Sequence, residues 1–333
     1  MIKLGIIYGG VSTEHDVSIM SAKSIMKNLD QKKYDIHEIY INKYGKWFEV
    51  KNEIKEEIYN LIWLLKELDI VFPVLHGIGG EDGTIQGLLE LLKIPYVGCG
   101  VLTSAVGMDK VYTKMIFEKA KIAQAKYINV YKKENEYYMQ KENMDYEQLN
   151  FEQIAEKLKF PMFIKPSNSG SSVGVKKARD IDELKSAIEN ASQYDRKVIV
   201  EEGINGKEVE CAILEDEGIK VSTVGEIKAA EEFYSFDAKY NIPESKTIIP
   251  ANIDKDKIEE IQKLAIKAFK AIDGRGLSRV DFFLEKDTNK VYINEINTMP
   301  GFTQISMYPK LFENMGIKYT ELLDKLIQNA IKS

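Results

Sequence analysis

Two short segments near the C-terminal end carry the residue types best suited to chemistry. They read Ser278-Arg279-Val280-Asp281-Phe282-Phe283-Leu284 and Lys290-Val291-Tyr292-Ile293-Asn294-Glu295-Ile296-Asn297. Both are rich in β-branched and aromatic residues, and Glu285 to Asn289 between them is polar, the pattern of a β-hairpin. Side chains alternate faces along a strand, so Arg279 and Asp281 share a face, as do Glu295 and Asn297. A hairpin centred on Thr288 sets Asp281 opposite Glu295 and Arg279 opposite Asn297. Two carboxylates, an amide and a guanidinium then converge on one patch. Facing carboxylates repel unless a cation lies between them, and so small a set of hard oxygen ligands suits Mg2+, with substrate phosphates completing its shell. A solvated hairpin face with an ordinary ion pair has the same spacing.

A second chemical stretch lies mid-chain. Phe160 to Pro166 reads as a strand ending at Lys165, and Ser167-Asn168-Ser169-Gly170-Ser171-Ser172-Val173-Gly174-Val175 follows. Small residues let backbone N–H groups approach phosphate oxygens, and Lys165 adds a point charge. No Gly-Lys-Ser/Thr closes the loop, so it is not a Walker A sequence; a polar hairpin turn is the alternative. Lys110 follows Asp109, a helix cap by type, and a lysine in a first helical turn needs an anion or solvent beside it. His76 ends an apolar run and opens Gly77-Ile78-Gly79-Gly80-Glu81-Asp82-Gly83, where open α/β sheets bind ligands. Glu14 stands in another glycine-containing turn, where complementing a helix dipole would suffice to explain it. His15 and His37 have no comparable setting.

These residues need a scaffold. Leu4 to Tyr8 is a continuous apolar run, the mark of a buried parallel strand. Gly9-Gly10 breaks it, and Ser12 and Thr13 are candidate caps for a helix carrying Val17, Met20 and Ile25. Asp69 to Leu75 reads as a second such strand, followed by a helix with Ile85, Leu88, Leu89 and Leu92 on one face. Lys132 to Asn150 is polar and tyrosine-containing without a clear period, and reads as surface loops. Lys197 to Ile204 is a strand with an abrupt acidic end at Glu201 and Glu202, residues that a solvated strand end would also accommodate. Glu231 to Pro250 holds Phe233-Tyr234-Ser235-Phe236-Asp237-Ala238-Lys239-Tyr240, an aromatic stretch suited to a lid. The helix from Lys255 to Ile272 and the amphipathic C-terminal helix through Leu322, Leu326 and Ile327 read as packing.

The composition bounds the class. The chain has 333 residues, 44% hydrophobic and 29% charged, as globular proteins do. A net charge of −6 argues against a general nucleic-acid binder. Cys99 and Cys211 lack metal-ligand spacing and read as free thiols in a reducing compartment. No apolar run approaches a membrane span and Ile2 to Tyr8 is too short for a signal core, so a cytoplasmic protein without a membrane partner is expected.

Asn297-Thr298-Met299-Pro300-Gly301, after Asn294-Glu295-Ile296, resembles the metal-binding end of the ATP-grasp ligases. Within that superfamily the chain looks most like the D-alanine–D-alanine ligases, through Leu75-His76-Gly77-x-x-Gly80-Glu81-Asp82-Gly83-Thr84 and Lys165-Pro166-Ser167-x-x-Gly170-Ser171-Ser172-x-Gly174. The resemblance covers essentially the whole chain. It implies an α/β fold, a three-domain ATP-grasp architecture with an N-terminal open parallel-sheet domain. The units would be residues 1–100 for substrate, 101–200 as the central ATP-grasp subdomain, and 201–333 with metal site and lid. It implies ligation of two D-alanines to D-alanyl-D-alanine through an acylphosphate, with release of ADP and phosphate, for peptidoglycan precursors.

By the same resemblance, Glu14 and His76 lie at the first D-amino-acid subsite, and Glu14, Ser171 and Tyr240 form a latch under the lid. Lys110, Lys165, Ser172 and Lys239 serve the nucleotide, Glu201, Glu202 and Ile204 line the adenine pocket, and Glu208 accepts from ribose. Asp281, Glu295 and Asn297 hold two Mg2+ ions, with Mn2+ as a substitute. Arg279 and the Gly301 N–H face the tetrahedral oxyanion, and Ser306 anchors the second carboxylate. Family members often have Ser-Leu where this chain has Ser306-Met307, so the resemblance does not fix the shape of the acceptor pocket. The family also implies a homodimer. A D-alanine–D-serine ligase or another carboxylate–amine ligase is the enzyme alternative, and an ATP- or amino-acid-binding regulatory module the other.

Overall fold

The computed structural model describes residues 1–228 and 246–332. Lys239, Tyr240 and the aromatic stretch before them lie outside the described residues.

The first sheet contains β1 (Ile2–Gly9), β2 (Tyr34–Ile41), β3 (Trp47–Lys51), β4 (Ile54–Glu57) and β5 (Ile70–Val74), in the order β4-β3-β2-β1-β5. β1 runs parallel to both neighbours and buries its last six residues, which is why it reads as a continuous apolar run. The sheet is parallel at its centre, but β3 and β4 add an antiparallel hairpin at its edge. Its turn residues Asn52 and Glu53 have φ of 51° and 66°, as a two-residue hairpin needs. All four residues of β4 are exposed, so no apolar pattern announces this hairpin.

Helix α1 (His15–Asn28) leaves β1 through the glycine turn. Neither Ser12 nor Thr13 caps it. The cap position is Glu14, without a side-chain cap bond, and Ser12 Oγ instead accepts the Glu14 N–H at 3.1 Å. The hydroxyl folds the turn rather than the helix end, which leaves the Glu14 carboxylate for other partners. Helices α2 (Leu61–Lys66), α3 (Thr84–Leu92), α4 (Val101–Met108) and α5 (Lys110–Lys119) follow in order.

The second sheet is antiparallel and has the order β10-β9-β11-β6-β7-β8. Its strands are β6 (Tyr127–Lys133), β7 (Glu136–Gln140), β8 (Tyr146–Gln148), β9 (Met162–Pro166), β10 (Lys176–Ala178) and β11 (Lys197–Glu202). Residues 132–150 are therefore a strand meander and not loops. Only Met139 of β7 is fully buried and β8 has three residues, so the periodicity is too short to read. Tyr131 and Tyr146 meet edge-to-face at 5.0 Å and hold the meander together. Helices α6 (Phe151–Lys157) and α7 (Ile181–Ala191) cover one face.

The third sheet contains β12 (Gly206–Glu215), β13 (Ile219–Lys228), β14 (Lys246–Ile248), β15 (Leu277–Glu285) and β16 (Val291–Asn297), in the order β14-β13-β12-β15-β16. Helix α8 (Lys255–Ala271) packs on one face. Helices α9 (Met307–Asn314) and α10 (Tyr319–Lys332) pack on the other. Leu322 and Leu323 of α10 share a core with Leu4 and Ile6 of the first sheet and Ala212 and Leu214 of the third. Those two sheets are thus joined through a continuous apolar layer. Among the described residues no helix is long and apolar enough to cross a membrane.

The β15–β16 register pairs Asp281 with Glu295 and Arg279 with Asn297, as centring on Thr288 requires. Nearer the turn the register slips: Phe282 pairs with Ile293, and Asn294 is the extra residue of a bulge.

Candidate active site

The loops of all three sheets open onto one cavity of about 630 Å³. Every sequence-derived candidate within the described residues lines it except Ser306.

At one end stand the lysines. Lys165 leaves β9 with Nζ 2.5 Å from Glu201 Oε2 and 3.3 Å from Asn294 Oδ1, the bulge residue. Glu201 Oε1 lies 2.7 Å from Lys114 Nζ. The strand end is not solvated: Glu201 is 5% exposed, because α5 packs over β11. Burial opposes its ionisation, but the two ammonium groups outweigh burial and hold it down to about 2. Burial lowers Lys114, whereas for Lys165 the pull of burial is overridden by Glu201 and the group stands above its ordinary value. Lys114 was not singled out from sequence. Its signal is the spacing, since it follows Lys110 by four residues and shares its helix face.

Asp109 caps α5, accepting from Val111 N at 3.2 Å and Tyr112 N at 3.3 Å. Ser167 Oγ donates to it at 2.6 Å, and the buried Lys197 pairs with it. The helix start is so fastened to the loop after β9, and Lys110 Nζ donates to Ser169 O at 2.6 Å. The Glu202 N–H is given to Lys126 O at 2.9 Å, while Ile204 and Glu208 stand on the wall beside it. Ser171 and Ser172 have φ of 46° and 61°, so the loop turns back across the cavity mouth.

At the floor, Arg279 Nε and Nη2 donate to the two oxygens of Asp281, each at 2.7 Å, and Nε lies 3.0 Å from Glu210 Oε2. Asn297 Nδ2 donates to Asp281 Oδ2 at 3.0 Å. Glu210, which no local sequence feature marks, sits on β12 directly opposite Asp281. Burial alone would weaken the guanidinium charge, but Asp281 and Glu210 raise Arg279 well above its ordinary value. The donor set suits a hard divalent ion: two facing carboxylates and an amide. The whole cavity wall carries eight carboxylates against five lysine and arginine side chains, so a triphosphate entering it needs added cations.

The far end is organised by the first sheet. Ser171 Oγ donates to Glu14 Oε1 across the cavity. A Cβ on Gly170 or Gly77 would fall 2.4 or 2.7 Å from Glu14 Oε2 and push the carboxylate aside, and Gly77, with φ of 70°, also takes the left-handed backbone that favours glycine. His76 has both ring nitrogens engaged, Nε2 with Ser21 Oγ at 3.0 Å and Nδ1 with Met299 O at 3.2 Å. Burial lowers its pKa and keeps it neutral. Glu81, unassigned from sequence, accepts from Gly77 N at 2.7 Å and Met299 N at 3.3 Å. Burial, with Glu14 nearby, pushes its carboxyl up. Gly301 lines the cavity, but Ser306 stands behind it, its Oγ accepting from Thr303 N at 3.0 Å and bonded to Thr303 Oγ1 at 2.7 Å. Elsewhere, burial pushes Cys99 and Cys211 up to about 12, as inert free thiols.

Known proteins resemble this chain along its length. A family profile described as "D-ala D-ala ligase N-terminus" matches residues 3–99, and one described as "D-ala D-ala ligase C-terminus" matches residues 116–328. A D-alanine–D-alanine ligase of Acetivibrio thermocellus is 50% identical over 98% of this chain and 95% of its own length. The crystal structure of a Bacillus anthracis D-alanine–D-alanine ligase complexed with ATP superposes with a TM-score of 0.80 at 32% identity, covering 100% of this chain and 98% of that one. That of a D-Ala:D-Ser ligase from Enterococcus faecalis does so at 0.86 and 35%, covering 99% of each.

Proposed function

The chain belongs to the D-alanine–D-alanine ligase family of ATP-grasp enzymes, and from that premise we propose how its residues divide the work. It is an ADP-forming ligase that joins two D-alanines through an acylphosphate. The carboxylate of the first attacks the γ-phosphorus of ATP, and ADP leaves. The amine of the second attacks the acyl carbon, phosphate leaves, and the amine gives up a proton.

Lys110, Lys165 and the backbone of the loop at Ser171 and Ser172 cradle the phosphates. Ile204 and the Glu202 backbone bound the adenine, and Glu208 accepts from the ribose. Glu201 keeps Lys165 charged rather than touching the base. Asp281, Glu295 and Asn297 would hold Mg2+, which when bound neutralises the transferring phosphoryl group. Glu14 takes the ammonium of the first D-alanine. Arg279 and the Gly301 N–H stabilise the oxyanion of the tetrahedral intermediate. Ser306 reaches the second carboxylate by exchanging its bond to Thr303. Lys239 and Tyr240 complete the lid, residues 1–100, 101–200 and 201–333 act as three units, and the enzyme works as a cytoplasmic homodimer.

One observation carries this reading: Lys165, Glu14 and the Asp281–Glu295 pair, brought by three sheets, line one cavity. A D-serine acceptor is the second reading, favoured by the likeness to the Enterococcus faecalis enzyme and by Met307 beside Ser306. Incubation with ATP, Mg2+ and equal D-alanine, D-serine and D-lactate, read by mass spectrometry, tests both. D-alanyl-D-alanine is expected to dominate. Predominant D-alanyl-D-serine moves the assignment, predominant depsipeptide sinks the amine acceptor, and no turnover favours a nucleotide-binding regulator.

A further inference from the structure

We propose that Ser21, His76 and Glu81 are positioning residues that aim the Gly301 N–H, gripping the turn 299–302 from the first sheet's side of the cavity. The proposal rests on the reading of that N–H as an oxyanion donor. The turn is held at both ends. Glu81 accepts the Met299 N–H at 3.3 Å and His76 Nδ1 meets the Met299 carbonyl at 3.2 Å. Ser21 Oγ accepts the Phe302 N–H at 3.2 Å, and Tyr319 O–H donates to the Phe302 carbonyl at 2.5 Å.

The protons have one consistent order. A carbonyl can only accept, so His76 carries its proton on Nδ1. Its Nε2 then accepts from the Ser21 hydroxyl at 3.0 Å, which leaves the Ser21 oxygen to accept from Phe302. The second Glu81 oxygen takes the Gly77 N–H at 2.7 Å, so the carboxyl is fixed to the loop that carries His76. Ser21, Met299 and Phe302 are buried, and His76 is 4% exposed.

Between the two held peptides lie Pro300, which has no N–H and a fixed φ, and Gly301, which lines the cavity. An unbraced glycine would let its N–H swing, and an error near 1 Å at a reacting centre costs about 100-fold in rate. The brace therefore assigns His76 to the protein. With both ring nitrogens engaged, it acts on the substrate through the turn.

Ser21→Ala and Glu81→Gln test this. Each is expected to lower kcat by roughly 10- to 100-fold, with ADP affinity by calorimetry and the unfolding midpoint held. Affinity for a tetrahedral phosphinate analogue of the dipeptide should fall by the same factor as kcat/KM, because both report the transition-state geometry. Unchanged analogue affinity, or ADP affinity falling in step with it, overturns the brace. Should Ser21→Ala not fold, Glu81→Gln decides alone, since it keeps the volume of the side chain. If the unmutated enzyme binds the analogue no more tightly than D-alanine, the oxyanion reading itself fails, and this outcome is separate from any behaviour of the variants.

Discussion

The two ends of the cavity satisfy their polar groups by different means. At the nucleotide end charge meets charge: Glu201 lies between Lys114 and Lys165, and Arg279 between Asp281 and Glu210. At the amino-acid end, neutral donors and acceptors close on one another through Ser21, His76 and the Met299 peptide. Buried charges are costly when a partner is removed, but incoming charge can replace that partner. A lysine can trade a carboxylate for a phosphate, and a carboxylate can trade a guanidinium for a divalent ion. A neutral relay in which each proton has one place has nothing to trade. The nucleotide end is therefore built to be re-paired when ligand arrives, and the relay at the other end to stay fixed while chemistry proceeds.

The sharpest break of that contrast removes an anion from the exchangeable end. Asp281→Asn and Glu295→Gln are each expected to lower turnover by about 1,000-fold at ordinary Mg2+, several kcal/mol of lost charge stabilisation. The unfolding midpoint should move little, because Arg279 keeps Glu210 as a partner in the first variant. Steady-state ADP release with a thermal melt measures both, and near-normal turnover would remove these residues from the metal site.

A smaller effect belongs to Lys165→Ala. Losing one charged partner should weaken ATP and ADP binding about tenfold to a hundredfold, with the loop backbone retaining some affinity. Calorimetry that finds no change would take Lys165 off the phosphates. The same pair gives a pH signature. Glu201 titrates at about 2 instead of 4.5, so its folded pKa is depressed. Its stabilising contribution is complete above the ordinary carboxylate range and is lost as pH falls from 4.5 towards 2. Melting temperatures over that window should drop, and Glu201→Gln should start lower and fall less steeply. Parallel slopes for the two proteins would contradict the pairing.

How much of this was legible beforehand follows the same division. The hairpin register was readable because Asp281, Glu295, Arg279 and Asn297 obey strand alternation around a polar turn. The strand β1 and most helix faces were readable from apolar runs and spacing, although Met20, which the sequence groups with Val17 and Ile25, is exposed. The slip at Asn294 was not readable, since a bulge depends on pairing rather than composition. Glu201 looked like a wet strand end because nothing local announces that Lys114, 87 positions away in the chain and on another element, will bury it. Glu81 and Ser21 were silent for the same reason, their partners lying 218 and 281 residues away. The edge hairpin β3–β4 and the meander β7–β8 carry too few buried residues to mark themselves. Ser306 was assigned by motif alone, and the motif does not say that Thr303 holds it.

The mildest test lies where the two ends touch. Ser171 belongs to the phosphate loop and Glu14 to the first sheet's glycine turn, and their hydrogen bond is a direct bond across the cavity between the exchangeable side and the fixed one. Gly170 lets the loop backbone come that close, because a Cβ there would overlap the Glu14 carboxylate. The bond should matter for closure more than for affinity. The lysines and the loop backbone hold phosphate without it, but a loop released from Glu14 lets water reach the acylphosphate. Ser171→Ala removes one half-buried hydroxyl donor to the buried Glu14 carboxylate. The expected result is a phosphate-to-dipeptide ratio raised roughly two- to fivefold, with ADP affinity little changed. Parallel phosphate and dipeptide assays at saturating D-alanine measure the ratio. An unchanged ratio would mean that the loop closes without Glu14. A loss of ADP affinity as large as that of Lys165→Ala would place Ser171 with the phosphate cradle, on the exchangeable side of the comparison.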